Sequence, residues 1–142
     1  MAAWPEYRGS RLVSLHEVAG EDLAPVLDEQ IFLWREALAW DLRPAAAAVR
    51  RHVDTHSLRG FALRQGHDIT GYCYYVRDGR KGLLGDLYVM AKWNSPESED
   101  ALLSAALEDL WHAPGVDRVE AQLLLLGGDP GRDRKSTRLN SS

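Results

Sequence analysis

The sequence predicts a single α/β domain. It is a sandwich-like α+β arrangement around a mixed sheet, in which a strand, two helices, three antiparallel strands, a helix and a last strand follow one another. Three observations predict it. Five short runs alternate or are rich in β-branched and aromatic residues, while three longer runs carry apolar residues at helical steps. Three of the strand runs follow each other across glycine-containing turns, as an antiparallel meander does. A chain of 142 residues that is 45% hydrophobic can bury one core but does not comfortably hold two domains.

The elements follow in order. "RLVSLHEV" (11–18) alternates and reads as the first strand. Gly20-Glu21-Asp22 opens a helix whose stripe is Leu23, Val26, Leu27, Ile31, Trp34 and Leu38, at steps of three and four. Pro44 suits the first turn of a second helix, "PAAAAVRRHVDTH". "LRGFALRQG" (58–66) and "DITGYCYYVRDG" (68–79) read as strands joined by a tight turn at Gly66-His67. A further turn at "RDGRKG" leads into the strand "LLGDLYVM". In "SPESEDALLSAALEDLWHAPG", Ser95 is placed to cap a helix and Pro96 to occupy its first position. Leu103, Ala106, Leu107 and Leu110 are its expected buried stripe, and Pro114-Gly115 its stop. "VDRVEAQLLLL" (116–126) reads as the last strand, with Val119, Ala121, Leu123 and Leu125 on one face and a turn at Gly127-Gly128.

Composition narrows the function classes. A net charge of -4 argues against a nucleic-acid partner, which calls for a basic stripe. The single cysteine, Cys73, permits no internal disulfide and no cysteine-based zinc site, which fits a reducing, cytoplasmic compartment. Without a histidine at a recognisable spacing, it is expected to be a buried thiol and not a nucleophile. No apolar run approaches a membrane span, and "MAAWPEYRGSR" lacks the pattern of a secretory leader. His52 and His56, four apart on the second helix, form a possible metal pair with no third ligand in a known arrangement, so no metal is expected. "DRKSTRLNSS" (133–142) resembles the translation of a common sequencing adapter at every position. The expected organisation is therefore an incomplete domain over 1–132 and a non-native tail over 133–142, with the gene cut short near Arg132. Removing Arg134, Lys135, Arg138 and the acid Asp133 takes the charge from -4 to -6.

The order of elements, and above all "GDLYVMAKWNSPESEDALL" (85–103), resembles the GNAT superfamily of N-acetyltransferases. "GDLYV", the paired Leu102-Leu103 and the "GV-R-V-AQ" entry to the last strand carry the resemblance over residues 11 to about 126. In the family pattern a strand runs into a proline, then an Arg/Gln-x-x-Gly-x-Gly/Ala turn, then a helix. Aligned without a gap, the proline falls on Ala91, the Arg/Gln on Asn94, and the two small residues on Glu97 and Glu99.

The resemblance implies acetyl transfer from acetyl-CoA to an amine, borne by a small molecule or a protein. It implies that main-chain groups of Leu87, Tyr88 and Val89 hold the pantetheine arm and the acetyl carbonyl. The turn at Asn94, Ser95 and Ser98 would then receive the pyrophosphate. It implies for Asp86 a role as base or amine-orienting acid, with pairing to an arginine or a backbone donor as the alternative. Trp34 and Tyr74 are candidate linings of the acceptor site, with core packing as the alternative, and Trp40 stands near the same end of the first helix. The family's further helix, which commonly brings a tyrosine acid, is not in the sequence. Glu97, Glu99 and Asp100 bring carboxylates to the helix start, where an anion is stabilised but a second anion is opposed. Two further readings therefore stand beside the enzyme: a binding module of the same fold with a degenerate CoA site, and an inactive fragment.

Overall fold

The structure, a computed structural model, describes residues 6–7, 10–121 and 138–140. β1 (Glu6–Tyr7), β2 (Ser10–Ser14), β3 (Arg59–Gln65), β4 (Asp68–Asp78), β5 (Lys81–Val89), β6 (Arg118–Ala121) and β7 (Arg138–Asn140) lie in one sheet in sequence order. Every neighbouring pair is antiparallel except β5 and β6, which are parallel from Lys81↔Arg118 to Leu84↔Ala121. That parallel pair needs a crossover, and α3 (Pro96–Trp111) supplies it. α1 (Ala24–Leu38) and α2 (Arg43–Asp54) fill the connection from β2 to β3.

The mixed α+β fold and its element order are as the sequence predicts, with short strands added at both ends. β7 falls within the tail that resembles adapter sequence and pairs with β6 through Arg118↔Asn140. Residues 133–137 and 141–142, together with Leu123, Leu125 and Gly127-Gly128, lie outside the described residues.

Two apolar cores sit on the two faces of the sheet. α1 and α2 cover one, in which Val26, Leu27, Val49 and Val53 pack with Ala62, Tyr72 and Tyr88. α3 covers the other, in which Leu102, Ala106 and Leu110 pack with Leu63, Cys73, Tyr75, Leu84 and Leu87. Burying one such aliphatic side chain contributes about 1.5–3 kcal/mol.

Several boundaries differ from the expectation, for local reasons. The first strand stops at Ser14 because Ser14 and Glu17 form a reciprocal capping box that starts a 3-10 turn at Leu15. Gly20–Leu23 is likewise a 3-10 turn, and the α-helix begins only at Ala24. The apolar stripe of α1 is buried in its first half alone, and Leu38 is exposed. On α3 the buried face is Leu102, Ala105, Ala106 and Leu110, while Leu103 and Leu107 are only partly covered. α2 ends at Asp54 and His56 takes a left-handed φ of 56°, so His52 and His56 do not share a helix. His56 instead packs edge-on against His16, and His52 bonds Ser57.

Candidate functional site

β5 carries the site, and a one-residue irregularity in it decides which way the side chains point. Tyr74 pairs with Asp86 but Tyr75 pairs with Leu84, so Gly85 is an extra residue on β5. Leu84 and Leu87 therefore both face α3 although three apart, and Asp86 is turned to the α1 face. Glycine is required at this bulge, because an added Cβ would overlap the Tyr74 ring lying over it.

Asp86 is partly buried and fully engaged. Its Oδ2 accepts from Gln30 Nε2 at 2.5 Å and stands 3.0 Å from the Tyr72 hydroxyl, while its Oδ1 accepts the Leu87 N–H at 2.9 Å. Tyr72 also reaches Gln30 Oε1 at 2.8 Å. Burial pushes the Asp86 carboxyl above the ordinary carboxylate range, against the downward pull of its bonds to Gln30, Tyr72 and Leu87. Burial, and then the charge of Asp86, raise the phenols of Tyr72 and Tyr74. The two rings stack with centroids 6.4 Å apart.

A second link joins α1 to the end of β5. Glu29 Oε2 accepts from the Tyr88 hydroxyl and, at 2.8 Å, from the Ala91 N–H. Glu29 thereby fixes the 3-10 turn Ala91–Trp93 that leads into α3. Neither Glu29 nor Gln30 was expected from the sequence. Gln30 carried a signal all the same: it is a polar residue between Val26 and Trp34 on a stripe that is otherwise apolar, and a buried amide needs a partner.

The main chain at the end of β5 turns alternate polar groups away from β4. Met90 N–H bonds Thr70 C=O at 2.9 Å, which makes Tyr72↔Tyr88 and Tyr74↔Asp86 the bonded pairs. The N–H and C=O groups of Leu87 and Val89 consequently point away from β4. Side chains of both sit in the core on the α3 face.

The start of α3 is capped by its own side chains. Ser95 Oγ accepts the Ser98 N–H at 3.1 Å and lies 2.8 Å from Ser98 Oγ, and both serines are buried. Asn94 Nδ2 donates to Glu99 Oε2 at 2.9 Å. Glu99 is only 4% exposed, so its carboxylate is folded into the turn, whereas Glu97 is exposed. Pro96 has no N–H, and the Glu99 N–H goes to Ser95 C=O. The Glu97 N–H, in the same first turn, has no acceptor within the helix.

Trp34 stands one turn beyond Gln30 on α1, and its buried Nε1 has no hydrogen-bond partner among the described residues. Its ring meets Trp40 edge-on at 6.1 Å, and Trp40 is 59% exposed. A groove of about 350 Å³ lies beside them, between Ile31, Arg35, Ala39, Trp40, Asp41 and Arg43. Asp86, Tyr74 and the main-chain groups of Leu87 and Val89 are thus brought together with Gln30, while Asn94, Ser95 and Ser98 form a separate corner at the head of α3. Cys73 is fully buried on the α3 face, where burial pushes its thiol up to about 12, as the expected inert thiol. Among the described residues no cluster of three metal-ligating side chains occurs, and no helix is long and apolar enough to cross a membrane.

No family model matches the chain, and no curated protein matches it in sequence. Solved structures do match. A GCN5-related N-acetyltransferase from Ralstonia eutropha is 16% identical with a TM-score of 0.63, covering 94% of this chain and 95% of that one. The loading GNATL domain of CurA from Lyngbya majuscula is 19% identical with a TM-score of 0.60, covering 82% of this chain. The chain spans 64% of that structure's length. The PaiA N-acetyltransferase of Thermoplasma acidophilum, in complex with coenzyme A, is 13% identical with a TM-score of 0.52, covering 78% of this chain and 77% of that one. At these identities the likeness is one of fold. The chain has the GNAT fold.

Proposed function

We propose that this GNAT-fold chain belongs to an acyltransferase that moves an acetyl group from acetyl-CoA to an amine, of a small molecule or a protein. The observation that carries the reading is the placing, on one strand, of a partly buried carboxyl beside main-chain groups that point away from β4. Asp86 lies on β5 beside the groups of Leu87 and Val89 that point away from β4. Coenzyme A bound to the Thermoplasma protein of this fold supports the choice of acyl donor.

In this reading the amine nitrogen attacks the thioester carbon, a C–N bond forms and the C–S bond breaks. The Leu87 N–H is held by Asp86 Oδ1, so the N–H of Val89 stabilises the oxyanion, a contribution of about 2.7–4 kcal/mol per donor in well-formed holes. Asp86 takes the proton lost by the amine, and its raised pKa brings it nearer the working pH, where a general base is most effective. The departing thiolate takes a proton from water. Tyr74 and Trp34 line the acceptor side, and the head of α3 at Asn94, Ser95 and Ser98 faces the diphosphate. The single buried cysteine supports a reducing compartment such as the cytoplasm.

A second reading is favoured by the head of α3. With no N–H on Pro96, the Ser98 N–H taken by Ser95 and the exposed carboxylate of Glu97 beside them, that turn grips phosphate poorly, as a binding module with a degenerate CoA site would. Thermal unfolding of the full chain with acetyl-CoA, followed by thiol release across an amine panel, separates the two. Stabilisation and thiol release are expected. Neither effect with any amine defeats the enzyme reading, and micromolar acetyl-CoA binding defeats the degenerate-site one.

A further inference from the structure

We infer that Asp86 rests, at mildly acidic pH, as a neutral carboxylic acid closing a ring of three hydrogen bonds with Tyr72 and Gln30. These two are positioning residues that set its proton content. A count of hydrogens carries the inference. The ring has three contacts: Gln30 Nε2 to Asp86 Oδ2 at 2.5 Å, Tyr72 Oη to Gln30 Oε1 at 2.8 Å, and Tyr72 Oη to Asp86 Oδ2 at 3.0 Å. Each contact needs a hydrogen. The amide supplies the first. Tyr72 has a single hydroxyl hydrogen, which serves Gln30 or Asp86 but not both.

An ionised Asp86 therefore leaves two oxygens facing each other with nothing between them. A proton on Oδ2 completes the circuit: Oδ2–H donates to Tyr72 Oη, Oη–H to Gln30 Oε1, and Nε2–H to Oδ2. Rotating the amide by half a turn does not help. Nε2 then donates to Tyr72, Tyr72 to Asp86, and Oε1 meets Oδ2 with no hydrogen. Either orientation is one proton short unless the acid is protonated. Gln30 and Tyr72 are almost wholly buried, so water is poorly placed to fill the gap.

The surroundings favour the same state. From β4 the titratable groups facing Asp86 are the phenols of Tyr72 and Tyr74, which bring it no positive charge. From α1 comes the neutral Gln30, while its neighbour Glu29 is held by Tyr88 and Ala91. Among the described residues no Lys, Arg or His forms an ion pair with Asp86. The Leu87 N–H on Oδ1 is compatible with either protonation state.

The proton count is independent of the acetyltransferase reading. Its catalytic consequence rests on that reading: Asp86 becomes a proton acceptor only after the ring has given up its proton, so activity rises with pH along the titration of this cluster.

The test uses the full chain labelled with ¹³C at the aspartate carboxyls, the Asp86 signal being assigned by its loss in Asp86→Asn. Asp86 is expected to titrate at higher pH than the exposed aspartates. Tyr72→Phe is expected to shift that midpoint, and an unchanged midpoint overturns the positioning role of Tyr72. A wild-type midpoint in the ordinary carboxylate range overturns the inference. Should the variant not fold, infrared difference spectra of wild type against Asp86→Asn at pH 6 decide. The carbonyl band of a protonated carboxyl is expected, and its absence overturns the inference. Neither readout requires enzymatic activity, so a failed assay and a failed proton count stay distinguishable.

Discussion

Asp86 and Glu99 are both acids drawn into the protein near the ends of the same strand-to-helix passage, and they are used in opposite ways. Glu99 bonds the side chain of Asn94 five residues away and packs into the turn that starts α3. That bond is local, and it sits at the helix start, where a carboxylate is stabilised. Asp86 takes its bonds from Gln30, 56 residues away, and from Tyr72 on the neighbouring strand. Its chemistry belongs to the tertiary structure, and burial there costs the charged form something. An acid bonded to an amide of its own turn serves the helix start. An acid carried across the sheet into an amide–phenol pocket, with no cation paired to it among the described residues, is the better candidate for reactivity.

The largest way to break this comparison is Asp86→Asn. The full chain is expected to lose about 10²–10⁴-fold in the rate of acetyl transfer, measured by thiol release. Stability should respond in a pH-dependent manner. Asp86 has a higher pKa folded than unfolded, so the folded state binds the extra proton, and stability falls as pH rises from the ordinary carboxylate range through the raised value. Urea unfolding of Asp86→Asn should show a weaker loss over that window than wild type. Equal slopes would mean that Asp86 is not held differently from an exposed acid.

Ser95→Ala comes next and probes the other corner. It removes the acceptor of the Ser98 N–H and should cost about 1 kcal/mol of unfolding free energy, while leaving the Asp86 titration unchanged. A change at Asp86 would show that the two corners are coupled. The smallest effect is expected of Glu97→Gln. Removing this exposed carboxylate from the head of α3 should tighten CoA binding by about 2–5-fold at low salt, with less gain as salt screens it. Calorimetric titration reads this, and no gain would place the diphosphate elsewhere.

Much of the fold was legible because its signals are local. The stripe of Val26 and Leu27, the Gly66 turn, and Ser95-Pro96 at the head of α3 each act within a few residues, and the structure keeps all of them. The chemistry of Cys73 was legible too, since a lone thiol in an apolar strand has few alternatives. The retreat of the first helix to Ala24 was not, because a 3-10 turn and an α-turn share nearly the same apolar spacing. The side chains around Asp86 were legible only in part. Its face could be read from its flanking residues, but its partners could not.

By itself the sequence determined the order of elements, the cap of α3 and the placing of carboxylates where the fold's glycines are expected. Those follow from backbone sterics and from interactions within one or two turns. Only the tertiary structure decided that Gly85 is an inserted residue, that Glu29 ties α1 to the turn before α3, and that Gln30 and Tyr72 close on Asp86. Such contacts join residues 14 to 62 positions apart, and a chain's pattern of polarity does not record which distant groups will share a hydrogen.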